Sequence, residues 1–333
     1  MKKILLFLLS VALVSPVWGQ DGEETDEGPW KKGGMGALTF NQVGLFNWQA
    51  GGTSNMTLIG NLNLFANYEQ GSTKWENNLD LAYGFIKNNI FSDPDAPITK
   101  AEDKIDFNSK YGRKAWSDKM FYTGLLSFRS QFAPGFANPG DPVYISKFLA
   151  PAYLQIAAGL EYNPNDWLQF FFSPVSGKIT IVGDDSLASV SAFGVNQRNE
   201  AGDFLPGNSE NLRFEFGATF RAKIKRDIME NIGLESQLEL FSNYIDRPQN
   251  VDVRWNTAIV AKVNKYITVN LFLDLIYDHD IKIGLTDSDG LPIYSIDPNT
   301  NAPYTDGSGN PIQRMEPRTQ FKEVFGVGFS YKF

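Results

Sequence analysis

Between residues 212 and 224 the chain sets Leu212, Phe214, Phe216, Ala218, Phe220, Ala222 and Ile224 on every second position, with Arg213, Glu215, Thr219, Arg221 and Lys223 between them. A period of two is the signature of a β-strand, whose successive side chains point to opposite faces. The run is more than twice the usual strand of about five or six residues. An unbroken oily face backed directly by charge demands two surroundings, one apolar and one wet. A strand in the wall of a transmembrane β-barrel meets that demand, with lipid outside and water or polar side chains inside.

The same alternation recurs along the chain. Met56, Leu58, Leu62, Leu64 and Tyr68 oppose a row of amides at Asn55, Asn61, Asn63 and Asn67. Trp75, Leu79, Leu81, Tyr83 and Phe85 oppose Glu76, Asn78 and Asp80. Further strands are predicted at 232–240, 251–263 and 267–277, and less regular ones at 35–46, 102–112, 120–131, 147–162, 167–182 and 319–333. Around Phe121 and Phe170-Phe171-Phe172 both faces are apolar, so the pattern does not fix a register there. The count is twelve strands, and an even count puts both chain ends on the same, periplasmic, side. The segments between strands alternate short and long, as the periplasmic turns and external loops of such barrels do. The expected fold is therefore an all-β, antiparallel, up-and-down transmembrane barrel.

The ends of the chain agree with export. Lys2 and Lys3 precede an apolar run at 4–14, and small residues follow before Gln20, so residues 1–19 read as a signal peptide and the mature chain starts at Gln20. Eleven apolar residues are too few for a membrane helix, which needs about twenty, and no other stretch comes close. Residues 20–34 hold five acids between Asp21 and Glu27 and read as an acidic, flexible periplasmic tail, leaving 35–333 as one barrel domain. With no cysteine, disulfides and a cysteine-borne lipid anchor are excluded. A formal charge of −8 disfavours nucleic acid as a partner. The 26 Phe, 13 Tyr and 7 Trp include Tyr68, Trp75, Trp116, Tyr162, Trp167 and Tyr266 near short turns, and Trp48, Phe85, Tyr244, Trp255 and Tyr277 near long ones, where two aromatic girdles belong.

The final strand sets Phe321, Phe325, Val327, Phe329, Tyr331 and Phe333 against Lys322, Gly326, Gly328, Ser330 and Lys332. Its amphipathic, aromatic end, Phe329, Tyr331 and Phe333, resembles the signal read by the outer-membrane barrel assembly machinery. The segments FNQVGLFNWQAGG at 40–52, SFRSQF at 127–132, YISKFLAPAYL at 144–154, SAFGV at 191–195, LIYDHD at 275–280 and FKEVFGVGFSYKF at 321–333 resemble a domain-of-unknown-function family of predicted Gram-negative outer-membrane proteins. The resemblance implies location and fold and carries no activity.

Candidate chemistry is sparse. The single histidine, His279, lies between Asp278 and Asp280, a set that fits either a divalent-cation site or part of a hydrolytic triad, against the simpler reading of a polar strand end. The Asn47–Gly52 segment reads as a glycine turn with Trp48 at the rim, and Asp287–Gly290 and Asp306–Asn310 as loop fragments without full calcium-ligand spacing. No cofactor is expected. Twelve charged residues are assigned to the interior: Glu76, Asp80, Lys104, Asp106, Arg129, Arg213, Glu215, Arg221, Glu235, Glu239, Asp252 and Arg254. They either line a narrow aqueous path or neutralise one another in a filled core. Their mixed sign argues for a plugged or network-filled core and against a strongly ion-selective pore. The expectation is a narrow channel or passive transporter of unknown substrate. The alternatives are a structural or partner-binding barrel without conductance, and a barrel-embedded hydrolase using His279.

Overall fold

The structure is a computed structural model, and it describes residues 28–44, 53–90, 93, 95–137, 139–264, 266–288, 291–305 and 309–332. The proposed signal peptide, residues 20–27 of the acidic tail, the segment around Trp48, and Phe333 lie outside the described residues. Twelve long strands form the wall: β1 (Trp30–Val43), β2 (Asn55–Gln70), β3 (Thr73–Asn88), β4 (Ile98–Lys114), β5 (Met120–Ser130), β6 (Ala152–Asn165), β7 (Leu168–Ile181), β8 (Leu212–Met229), β9 (Ile232–Asn243), β10 (Val251–Lys262), β11 (Ile267–Tyr277) and β12 (Gln320–Lys332). Each pairs antiparallel with its neighbours in sequence, and β1 pairs with β12, closing the barrel. Closure removes the exposed edges that an open sheet would leave.

Both faces of the wall follow from the alternation. In β8, Arg213, Glu215, Thr219 and Arg221 are buried, while Leu212, Phe214 and Phe216 are exposed. In β12, Phe325 and Phe329 are 60% and 67% exposed, and the register carries their row outward beside Leu271 and Ile267 of β11. Exposed Leu38, Phe40, Tyr83, Tyr111, Ile156, Phe172 and Trp255 continue the oily surface around the ring. A soluble monomer rarely exposes a contiguous apolar patch of more than a few hundred Å².

The connections alternate as the sequence predicts. Two-residue turns join β2 to β3, β6 to β7 and β8 to β9, and turns of four or five residues join β10 to β11 and β4 to β5. Gly71 has φ +60° in the first of these, a conformation glycine adopts without strain. Long loops follow every odd-numbered strand, the largest at 182–211 and 278–319. Both described chain ends lie at the short-turn end. Trp30 packs there on Tyr68 and Trp75, with ring centroids 5.3 and 5.7 Å away.

Strand boundaries depart from expectation in three places. β1 begins at Trp30, so residues 30–34, read as the end of the tail, belong to the wall; the Lys31-Lys32-Gly33-Gly34 run hides the alternation, yet it pairs in register with 64–67 of β2. β6 begins at Ala152 and not near 147, because Pro151 has no N–H to donate and residues 147–150 close their own turn through Lys147 and Ala150. β7 carries a bulge: Phe170 and Phe172 face outward with β6 residues Tyr162 and Leu160, but past Pro174 the outward row is Val175, Gly177 and Ile179. A bulge inserts one residue and reverses the parity beyond it.

The closing seam is the shortest join in the ring. Among the described residues β1 and β12 share six paired positions, Met35–Phe40 against Val327–Lys332, while β2 and β3 share sixteen. Gly326 lies beside this seam, where an added Cβ would sit 2.4 Å from Thr39 Cγ2.

Candidate functional site

The inward rows converge on one polar interior. Ion pairs and hydrogen bonds join strands that are not neighbours in the ring, and in a closed barrel such contacts run through the inside. At mid-height Arg221 of β8 donates to Asn108 of β4 at 3.2 Å and to Gln155 of β6 at 2.7 Å, and pairs with Glu239 of β9 at 2.6 Å. Arg129 of β5 reaches Glu239 at 3.7 Å. Arg254 of β10 stands 4.0 Å from Asp106 of β4, six strands round the ring and so on the opposite wall. Lys322 of β12 bridges Glu102 of β4 at 2.9 Å and Asp274 of β11 at 3.5 Å. The lumen is crossed by side chains at this level.

Toward the long-loop end, Lys178 of β7 holds three carboxylates: Asp252 at 2.7 Å, Glu215 at 3.3 Å and Asp278 at 3.4 Å. Arg213 shares two of them, Glu215 and Asp278, each at 3.3 Å, and adds Asp280 at 3.1 Å. Arg213 and Glu215 are 2% and 1% exposed. Toward the short-turn end Lys110 joins Glu161 at 2.7 Å and Glu76 at 2.8 Å. Asp80 accepts from Asn63 at 2.6 Å, and Glu235 pairs with Lys223 at 2.7 Å. Lys104 stands in the same inward row of β4, opposite Ala82, and makes no ion pair among the described residues.

The twelve residues assigned to the interior stand in these contacts or, for Lys104, on the same row of β4; the contacts also take in Lys178, Lys110, Glu161 and Lys322, which the sequence set left out, and Asp278, which it had placed in a candidate cation site. Lys178 is the central cation of the network. It was hidden by the bulge, which moves it off the parity set by the Phe run, although Ser176, Lys178 and Thr180 alternate plainly with Gly177, Ile179 and Ile181.

The Asp278-His279-Asp280 set does not form a metal site. Adjacent residues at a strand end diverge: Asp278 turns inward to Lys178 and Arg213, while the His279 ring meets Arg247 Nη1 at 3.2 Å and the Tyr277 hydroxyl at 3.4 Å. Among the described residues no cluster of three His, Asp or Glu side chains could hold an ion. Asp289, Gly290 and residues 306–308 of the two loop fragments lie outside the described residues.

A folded loop lies over the long-loop mouth. Val182, Leu187, Ala188 and Val195 pack with Ala150 from the preceding long loop. Asp184 caps the short helix α1 (Asp185–Ser189), accepting from Leu187 N at 3.0 Å, Ser186 Oγ and, at 2.8 Å, the Tyr144 hydroxyl, and it pairs with Lys147. A 3-10 turn at Ala192–Gly194 then presses on the barrel mouth, so closely that a Cβ on Gly194 would sit 2.4 Å from Arg213 Nη1. The Lys147 hydrogen bond, then those of Ser186 and Leu187, hold the Asp184 carboxyl well below the usual carboxylate range. A lowered folded pKa stabilises above the unfolded value of about 4 and loses that contribution as pH falls through the folded value. The loop is therefore expected to stay closed across neutral pH and to loosen only in strong acid. Asp184→Asn should increase proteolysis within 182–211 at pH 7 several-fold while leaving the barrel core intact; unchanged cleavage would remove Asp184 as the latch.

Residues 40–136 match the model of a family described as "Protein of unknown function (DUF3078)", under a third of the chain. No curated protein matches. The chain is similar to solved structures including the translocator domain of the autotransporter NalP from Neisseria meningitidis, at TM-score 0.35 and 12% identity, covering 100% of this chain and 95% of that one. An outer membrane channel from Pseudomonas putida F1 aligns at TM-score 0.36 and 9% identity over 91% of this chain and 96% of its own, and the NanC porin at 0.35 and 9% over 89% and 98%.

Proposed function

We propose that the protein is an outer-membrane barrel, exported and inserted with both ends in the periplasm, that works as a narrow passive channel. The observation that carries this reading is the pairing of an oily outer wall with an interior of ionised and amide side chains on almost every strand. Polar rows inside a closed barrel hold water, and water beside alternating charge conducts small ions. The ion pairs crossing at mid-height set the aperture. Mixed sign along the path gives weak selectivity.

In planar bilayers the purified protein is expected to show small, discrete conductance steps. Arg254→Ser removes a side chain that reaches the opposite wall, and it should raise the single-channel conductance about twofold or more, since a pore passes ions according to its radius and lining charge. Silence from both the wild type and this variant, with the barrel folded, would overturn the channel.

The loop over Arg213 favours a second reading, a structural barrel without conductance. That reading expects defined co-purification with other envelope components. His279 carries no hydrolytic role in either.

A further inference from the structure

The outer wall has one sector of different relief. Across β4 to β7 the outward row carries Ser109, Gly124, Ala158 and Gly177, which form a groove of about 750 Å³ flanked by Trp75, Tyr111, Leu126, Ile156 and Val175. Its few polar atoms are already used within the wall: Trp75 Nε1 donates to Ser109 Oγ at 2.9 Å, and Ser109 Oγ donates to Asn77 Oδ1 at 2.8 Å. The groove therefore offers carbon surface to its occupant and no free hydrogen-bonding group.

Charge lies directly below. Tyr111 pairs with Gly124, and the next outward pair toward the short-turn end is Arg113 with Tyr122. The Arg113 side chain is exposed and makes no ion pair or hydrogen bond among the described residues, its backbone being held in the ladder opposite Thr73 and Tyr122. Its neighbours are committed, Lys114 to Asp118 at 3.2 Å and Lys119 to the Pro164 carbonyl at 2.7 Å. Trp116 and Tyr122 pack edge to face beside it, 5.9 Å between ring centroids, and aromatic residues of this kind favour the headgroup level.

From this we infer that the groove binds one anionic phospholipid, an acyl chain lying over Gly124 and Ala158 and the phosphate meeting Arg113. An oily slot with a single unpartnered guanidinium at its interfacial end is complementary to a molecule with an apolar tail and one negative head. The inference rests on the membrane placement proposed above. An uncommitted arginine facing lipid is otherwise costly, and it is relieved where an anionic headgroup meets it.

The test is native mass spectrometry of the full barrel in mild detergent, with added phosphatidylglycerol or phosphatidylcholine. One phosphatidylglycerol per barrel should be retained in preference to phosphatidylcholine. Arg113→Gln should lower phosphatidylglycerol retention about fivefold, the worth of one basic residue near an anionic surface, and abolish the preference. Gly124→Phe has room for its Cβ, since nothing lies within 4 Å of that position, places a ring in the slot, and should remove retention of both lipids. Equal retention by the wild type and both variants would overturn the site. So would a dimer lost in Gly124→Phe and carrying no lipid, which would give the groove to a second copy. A chain that stays soluble without detergent would instead defeat the membrane placement itself.

Discussion

Replacing Lys178 with Met is expected to destabilise the barrel by about 3–5 kcal/mol, the usual cost of removing one partner from a buried ion pair. Lys178 is 8% exposed and is the cation shared by Asp252, Glu215 and Asp278. Without it Arg213 alone faces a cluster of largely buried carboxylates. Methionine keeps the length and apolar contact of the stem, so the loss reads charge and not volume. Urea unfolding in detergent micelles, or the temperature at which the folded band disappears on a gel, measures it. A loss below about 1 kcal/mol, the range of exposed ion pairs, would show that water reaches the cluster freely.

A second large effect belongs to the outer face. Leu271 sits midway along β11, flanked in register by Ile259 and Phe325. Leu271→Arg should cost about 2–4 kcal/mol for insertion into lipid vesicles, as arginine does on the lipid face near the bilayer midplane. On a wall bathed by water the same substitution would stay within about 0.5 kcal/mol. Folding titrations into vesicles therefore separate the two surroundings, and a neutral result would remove the membrane from the account of this protein.

Much of the barrel was legible in the sequence because both environments act on single strands. The row from Leu212 to Ile224 declares its two faces without reference to any other part of the chain, and so do 251–263 and 267–277. Loop order was legible for the same reason, since a short turn leaves a visible gap between two periodic runs. The interior pairing was not. Whether Arg254 meets Asp106 depends on which strands stand opposite after closure, and 148 positions of chain separate the two. The bulge at Pro174 was a local failure: a run of apolar residues on both faces masked a change of parity, and Lys178 went with it. At the N-terminus Lys31 and Lys32 resembled tail, yet their backbone joins β2, because pairing is set by the partner strand as much as by the side chains.

The unequal joins around the ring have a mechanical consequence. Among the described residues six paired positions hold the first strand to the last, fewer than at other contacts between neighbours in the wall. Heat or lateral tension should part the cylinder there first, and a crosslink between the chain's two terminal staves would harden it more than one placed anywhere else along the circumference.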